Sequence, residues 1–276
     1  MMIATIMVED REETLSDIDR APGLNPKVPS SARIYDYLLG GKDNYDIDRE
    51  VAQRMLAIAP DTRTLARYIR QFLVKSVQLA ADSGVRQFID LGAGIPTSPS
   101  VHEVAGKIDS SIRVAYVDND PVVHAHCDAL LAHAPGVTAL QADIRRPATI
   151  IDRLQLEAGI DFDQPVAVLI IGVLHYVMDD ENPAGIVAAF REMMAPGSYL
   201  AITHGSNETH PDFIGQSQED TNATPSQVVY RSREQTARFF DGFELIEPGV
   251  APVQKWLDER LPATRLVIYG AIGRKD

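Results

Sequence analysis

Three apolar segments of this chain end in residues that could bind a small molecule. Asp90 stands just before the glycine turn 92–94, Asp118 ends a second segment, and Asp143 follows a third. Glycine lets backbone approach a bound molecule closely, and a carboxylate accepts hydrogen bonds from amino and hydroxyl groups. Because the carboxyl ends of parallel strands form one crevice in an open sheet, we expect these residues to surround a single ligand.

The three acids match the polar parts of S-adenosylmethionine. We expect Asp118 to accept both ribose hydroxyls and Asp90 to interact with the ligand's ammonium, directly or through water. Asp143 could accept from the adenine amino group, with Ile144 in contact with the ring. Each acid taken singly could instead cap a turn or helix or lie solvated in a loop, but together they favour a ligand. The residues predicted to bind the cofactor here are Asp90, Gly92, Ala93, Gly94, Asp118, Asn119, Asp143, Ile144 and Gly172.

A nicotinamide dinucleotide is the rival ligand for such an architecture. Its fingerprint is G-x-G-x-x-G with an acid ~20 residues further on, and here Thr97 replaces the third glycine. Pro96 and Pro99 also remove amide donors from the turn where a pyrophosphate would bind. An NAD-dependent oxidoreductase is therefore the less favoured alternative.

Two histidines follow later strands and could move a proton. His175 comes after the apolar segment 165–171 and could act as a general base toward an oxygen or nitrogen nucleophile. Packing beside the adenine or a hydrogen bond to backbone would explain His175 equally well. His204, at the end of segment 199–203, is a weaker catalytic candidate, and a surface position is its favoured explanation.

Composition narrows the substrate class. The 276 residues include 26 Lys and Arg against 39 Asp and Glu, a net charge of −13, which disfavours binding to the phosphate backbone of nucleic acids. The Asn-Pro-Pro-Tyr motif of enzymes that methylate a base or amide nitrogen is also absent from the sequence. A small-molecule substrate is expected, whereas the oligomeric state is left open.

Cysteine usage and apolar runs indicate a cytoplasmic protein. Cys127 is the single cysteine, so neither an intrachain disulfide nor a metal site is predicted. The apolar start of the chain has no basic region and runs into acidic residues, unlike a secretory signal. The longest apolar run, 165–177, is shorter than the ~20 residues that cross a bilayer.

Apolar segments alternate with helical patterns along the chain, which predicts βαβ units and a doubly wound, mostly parallel α/β sheet. Strands are predicted at 86–91, 112–117, 137–141, 165–171, 199–203, 243–246 and 265–272. Helices are predicted at 30–39, 46–59, 98–108, 121–133, 147–158 and 183–194, with one capped by Asp61 and one beginning at Thr224.

The domain organisation predicted from these patterns has three parts. Residues 1–29 are expected to form a poorly ordered arm, 30–82 a helical N-terminal lid, and 83–276 the core, with a polar surface insertion near 204–223. The lid contains a run rich in aromatic, glycine and charged residues. Its candidates for contact with the cofactor are Arg33, Tyr37, Lys42 and Asn44.

Four motifs make the chain similar to a known family. They are ARIYDYLLGGKDNY at 32–45 followed by Asp48-Arg49, FIDLGAGIPT at 88–97, YVDNDP at 116–121, and EPGV at 247–250 with Trp256. In these the chain resembles the actinobacterial S-adenosylmethionine-dependent methyltransferases first catalogued as a domain of unknown function. The resemblance, which begins near Ser30, implies a class I fold with a seven-stranded sheet, an antiparallel last strand and S-adenosylmethionine, but no particular substrate.

Residues and resemblance together predict a methyltransferase that acts on an oxygen or nitrogen of a small molecule. In-line methyl transfer depends mainly on alignment in a dry pocket, so a dedicated base is not required. A protein that senses S-adenosylmethionine or its demethylated product without turnover is the other alternative.

Overall fold

The computed structural model describes residues 27–131, 134–222 and 227–276. The N-terminal arm predicted for 1–29 lies mostly outside these residues. The described strands are β1 (Gln87–Leu91), β2 (Arg113–Asp118), β3 (Val137–Gln141), β4 (Val166–Ile171), β5 (Tyr199–Gly205), β6 (Glu244–Leu245), β7 (Ala251–Pro252) and β8 (Ile268–Arg274). The described helices are α1 (Ser31–Leu39), α2 (Asp46–Ile58), α3 (Thr62–Asp82), α4 (Val101–Gly106), α5 (Pro121–Leu131), α6 (Pro147–Leu156), α7 (Pro183–Met193), α8 (Pro211–Thr221), α9 (Arg233–Ala237) and α10 (Val253–Leu257).

The strands form one sheet in the order β3-β2-β1-β4-β5-β8-β6, with the two-residue β7 also paired to β8. β1 to β5 are parallel, while β8 runs antiparallel to β5. The predicted doubly wound, mostly parallel fold is confirmed. The antiparallel last strand that the resemblance implies is present as well, because β8 lies antiparallel to both β5 and β6.

Both faces of the sheet are covered, which explains why its strands are almost continuously apolar. Alternate residues of each strand enter two separate cores: Phe88 and Leu169 lie in one, whereas Ile89 and Val168 lie in the other. The first core also receives α3, which buries Phe72 on its apolar stripe. The side chains at the carboxyl ends of the parallel strands lie together at one edge of the sheet.

The long helix α3 leads into β1 as predicted, but its start differs from the expectation. Asp61 stands at the N-cap position without a side-chain hydrogen bond to the helix. Its Oδ2 instead accepts from the main-chain amide of Arg265 at 2.8 Å. The cap prediction for Asp61 was wrong because a distant loop takes this carboxylate.

Residues 204–222 are not the surface excursion that their polar composition suggested. His204 and Gly205 belong to β5, and α8 packs against α2 with Phe213 and Ser217 buried. These two side chains are four residues apart and thus share one face of the helix. The signal was missed because the rest of α8 is polar and contains Gly215.

The helix predicted to begin at Thr224 falls on a segment that the structure describes only in part. Residues 223–226 lie outside the described residues, and 227–230 are irregular. The next helix is α9, whose N-cap is Ser232 with its Oγ accepting from the amide of Gln235. Within the three described ranges, no helix combines the length and apolar character needed to span a membrane.

Candidate functional site

A cavity of about 300 Å³ opens at the carboxyl ends of the parallel strands. All nine residues that the sequence predicted for the core of the cofactor site line it, as do His175 and several side chains from the N-terminal helices. The predicted strand-end residues in the lining are Asp90, Gly92, Ala93, Gly94, Asp118, Asn119, Asp143, Ile144 and Gly172. Residues from separate βαβ units therefore share one cavity.

The glycine turn after β1 is tied to the end of β2. The main-chain amides of Gly92 and Ala93 donate to the carbonyl of Val117 at 2.7 and 3.2 Å. Gly92 has a φ of 79°, and a Cβ built on it would lie 2.2 Å from Cγ2 of Val173. Gly94 also has a positive φ, 63°. Both positions need glycine, one for space as well as conformation.

Asp118 is oriented by the backbone around it. Its Oδ2 accepts from the amide of Gly94, and its Oδ1 accepts from the amide of Asp120, each at 2.9 Å. Burial raises the pKa of Asp118 to about 6, although these amide bonds oppose the rise. Since each carboxylate oxygen accepts more than one hydrogen bond, the group retains acceptor capacity. Helix α5 is capped by Asp120 instead, whose Oδ1 accepts from the amide of Val122 at 2.8 Å.

Asp90 and Arg70 form a second polar region of the cavity. Asp90 is 5% exposed, and no hydrogen bond to its carboxyl group occurs within the described part of the chain. Burial raises the pKa of Asp90 to about 7, while the positive charge of Arg70 works in the opposite direction. This carboxyl group is consequently poised between its neutral and ionised forms near neutral pH.

Arg70 was not identified from the sequence. Its Nη2 donates to the carbonyls of Thr97 and Pro99 beyond the glycine turn. Its Nε is buried and has no partner among the described residues. The sequence did contain a signal, because a basic residue lies beside the apolar stripe of the helix that precedes β1. The stripe was interpreted only as a packing surface, so Arg70 was not considered for the site.

Asp143 lies in the cavity wall beside Arg145, a second residue that sequence reasoning missed. Oδ1 of Asp143 accepts from the main-chain amide of Arg145 at 2.9 Å and pairs with its Nη1 at 3.2 Å. Arg145 also pairs with Glu181 at 2.7 Å and donates to the carbonyl of Tyr176 at 2.8 Å. The loops after β3 and β4 are thus joined at this wall.

The two candidate bases have different surroundings. His175 lines the cavity, and its Nδ1 is buried without a partner in the described residues. Burial, with the nearby His204 and Arg231, lowers the pKa of His175 to about 3. The imidazole is neutral at physiological pH and is a weak base.

His204 is fully buried, so the expectation of a surface histidine was wrong. Its Nε2 lies 2.7 Å from Nη1 of Arg231, and a guanidinium can only donate, so Nε2 accepts. Nδ1 then carries the proton and donates to the carbonyl of Gly205 at 2.9 Å. Burial lowers the pKa of His204 to about 4. With both nitrogens engaged and no place in the cavity lining, His204 is a structural residue.

Arg231 is 3% exposed and joins β5 to the loop after β4. Besides His204, it donates to the carbonyls of Leu174 and Val177 at 2.9 and 2.8 Å, and it pairs with Asp179 at 2.7 Å. These bonds hold the backbone on either side of His175. A single arginine in a polar stretch gave no sequence signal for this role.

The four residues predicted to contact a cofactor from the lid lie outside the cavity lining. Buried Arg33 pairs with Asp48 at 2.7 Å, and Asn44 donates to Oδ2 of Asp36 at 2.7 Å. The Tyr37 ring lies under the guanidinium of Arg63, and Lys42 is exposed. In this structure, Arg33, Tyr37 and Asn44 stabilise the N-terminal segment itself.

Other side chains from the same helices do line the cavity. They form its second part, which we call the helical chamber. It is lined mainly by apolar side chains of α1, α2, α3 and α8, together with Tyr230. We define the helical chamber by the lining residues Ile34, Tyr35, Leu38, Val51, Met55, Leu65, Phe213, Ser217, Asp220 and Tyr230. The chamber opens onto the strand ends, because both sets of residues surround the same cavity.

The chain matches a family model described as S-adenosyl methyltransferase over residues 18–276. A solved DUF574 family protein from Streptomyces avermitilis is 37% identical, with a TM-score of 0.84 over 91% of this chain and 99% of its own. A candidate methyltransferase from Thermobifida fusca is also 37% identical, with a TM-score of 0.83 over 92% of this chain and 98% of its own. Among proteins of curated function, none matches this chain.

Proposed function

Because this chain belongs to the S-adenosyl methyltransferase family, we propose that it methylates an oxygen or nitrogen of a small molecule bound in the helical chamber. Its cofactor is S-adenosylmethionine, which supplies a methyl group activated by a sulfonium centre. The observation that carries the proposal is the meeting of Asp90, Asp118 and Asp143 on one cavity that continues into an apolar chamber.

The residues at the strand ends fit this cofactor. The glycine turn offers backbone without side chains at Gly94, where an added Cβ would meet nothing within 4 Å. Asp118 is fixed by two amides and retains acceptor capacity for ribose hydroxyls. Asp143 and Ile144 line the wall proposed for the adenine.

Asp90 and Arg70 suit the methionyl end of the cofactor, which carries one ammonium and one carboxylate. Asp90 has a carboxyl group without a hydrogen bond from the described residues, and Arg70 has a buried Nε without a partner there. Opposite charges from a ligand would satisfy both groups, and hydrogen bonds to charged groups are among the strongest in proteins. We therefore assign the ammonium to Asp90 and the carboxylate to Arg70.

The chain's contribution to methyl transfer is chiefly alignment and exclusion of water. Apolar side chains of α1, α2 and α8 cover the cavity, and reaction in a dry, oriented site needs little further assistance. His175 is the candidate base, and its Nδ1 would accept the proton that the methylated oxygen or nitrogen releases. Its lowered pKa makes it a weak base, so positioning is the larger part of its proposed role.

Label transfer tests the proposal against the sensor alternative. Purified protein would be incubated with methyl-labelled S-adenosylmethionine and a small-molecule extract that has been cleared of protein and nucleic acid. Label in a new small molecule, formed with S-adenosylhomocysteine, is the expected result. Binding of S-adenosylhomocysteine without any transfer across extracts would favour a sensor, and preferential binding of NADH would favour an oxidoreductase.

A further inference from the structure

We propose that the occupant of the helical chamber is a largely apolar amine whose ammonium group is bound by Asp220. The proposal rests on the proposed function, since it assigns a chemical class to the methyl acceptor of the same cavity. It goes further by naming a recognition residue outside the cofactor region, on helix α8.

The chamber lining selects an apolar body. Leu38 of α1, Val51 of α2 and Phe213 of α8 are buried hydrophobic residues that line the cavity from three different helices. A ligand surface that leaves water for such a lining is favoured by the hydrophobic effect. The polar side chains Ser217 and Tyr230 are already bonded to each other at 2.7 Å, so they place little demand on the ligand.

Asp220 is a charged residue of the helical chamber, and one of its two carboxylate oxygens has no hydrogen-bond partner among the described residues. Its side chain is 8% exposed, and Oδ1 accepts from Nε of Arg54 at 2.9 Å. Oδ2 is buried with no hydrogen bond within the described residues. Because a carboxylate oxygen only accepts, the partner it lacks is a donor. An unpaired buried acceptor is costly to maintain, so a ligand that donates here is favoured.

Charge distinguishes an ammonium from other donors. The chain has a net charge of −13, which attracts cationic small molecules and repels anionic ones. Arg54 already donates to the opposite oxygen of Asp220. An ammonium would contribute both the donor that Oδ2 lacks and a charge of favourable sign, whereas a carboxylate would meet repulsion.

Matched amine and acid probes test this assignment by binding alone. Calorimetry would use the full-length protein saturated with S-adenosylhomocysteine. One pair is 2-phenylethylamine and 3-phenylpropanoate, and the other is tryptamine and 3-(indol-3-yl)propanoate, so that each pair differs only in the terminal group. At least one amine is expected to bind ~10-fold or more tightly than its matched acid, as for a hydrogen bond between charged groups.

The variant Asp220→Asn is expected to reduce amine affinity ~10-fold while leaving S-adenosylhomocysteine affinity unchanged. Glu219→Gln is the matched control, because Glu219 is an exposed acid on the same helix, and it should leave both affinities unchanged. If Asp220→Asn does not fold, the amine and acid comparison on the unaltered protein decides the matter. Equal affinities within both pairs, or no binding of any probe, would overturn the proposal. Failure to bind S-adenosylhomocysteine would instead overturn the proposed function.

Discussion

The main-chain amide of Gly94 donates a 2.9 Å hydrogen bond to Oδ2 of Asp118. This bond joins the turn after β1 to the end of β2, which are 24 residues apart along the chain. The acid proposed to bind the ribose therefore also fixes the shape of the glycine turn that lines the cavity. Loss of this carboxylate should affect the cofactor site in both respects.

Asp118→Ala is accordingly expected to weaken S-adenosylhomocysteine binding by ~10-fold or more, through the loss of charged hydrogen bonds. Calorimetry on the purified variant measures this affinity. Asp128→Ala is a suitable control, since Asp128 is an exposed acid on α5. Unchanged affinity in Asp118→Ala would refute the ribose role.

Gly92→Ala should both destabilise the protein and impair the cofactor site. The new Cβ would lie 2.2 Å from Cγ2 of Val173, at a φ of 79°, and backbone strain of this kind costs about 2 kcal/mol. Urea denaturation gives the free energy of unfolding. Gly106→Ala is the matched control because its added Cβ would have no described atom within 4 Å apart from its chain neighbours and its own helix backbone, and it should not destabilise the protein.

Asp90→Asn should change the pH dependence of stability. Burial raises the folded pKa of Asp90 from its ordinary value of 3.8 to about 7, so the folded state binds the proton more tightly than the unfolded state. The contribution of protonated Asp90 is complete below about pH 4 and is lost as the pH rises through about 7. In cofactor-free protein, the variant should gain up to ~4 kcal/mol relative to wild type between about pH 4 and pH 8.

Urea denaturation at several pH values measures this difference in unfolding free energy. A gain that does not grow with pH would contradict the raised pKa. The same variant should bind S-adenosylhomocysteine ~10-fold more weakly at about pH 8, where wild-type Asp90 is ionised and can pair with the ligand ammonium.

Arg231→Met is expected to destabilise the protein by about 3 kcal/mol, because Nε2 of His204 and two buried carbonyls lose their donor. Thermal and urea unfolding would measure the loss. Arg233→Met removes an exposed arginine two residues away and should be nearly neutral. Equal stability of the two variants would show that the buried network contributes little.

His175→Ala should slow methyl transfer by roughly 100-fold if His175 accepts a proton, with near-normal affinity for S-adenosylhomocysteine. Because the pKa of His175 is lowered to about 3, this residue should produce no inflection in the rate between about pH 5 and pH 8. Steady-state rates with the identified acceptor provide the measurement. An undiminished rate would leave His175 with a packing role.

Local sequence was sufficient to predict the fold and the meeting of the strand-end residues at one cavity. Burial on both faces makes the strands continuously apolar, and parallel strands must end at one edge, so Asp90, Asp118 and Asp143 could be assigned to one cavity from their spacing alone. The glycine turn could also be predicted from the sequence. Its backbone conformation and its close contact with Val173 allow only glycine at this point, so the glycines are a direct signal of the turn.

Only the tertiary structure decided which side chains complete that cavity and which are engaged elsewhere. Arg70 reaches it from a helix, His204 is engaged by Arg231 from a later loop, and Arg33 turns to Asp48 within its own segment. Helix α8 encloses the helical chamber with a face too short to detect in a polar stretch. Such contacts depend on how helices and loops pack in space, and residue type and local periodicity do not encode where a long polar side chain finds its partner.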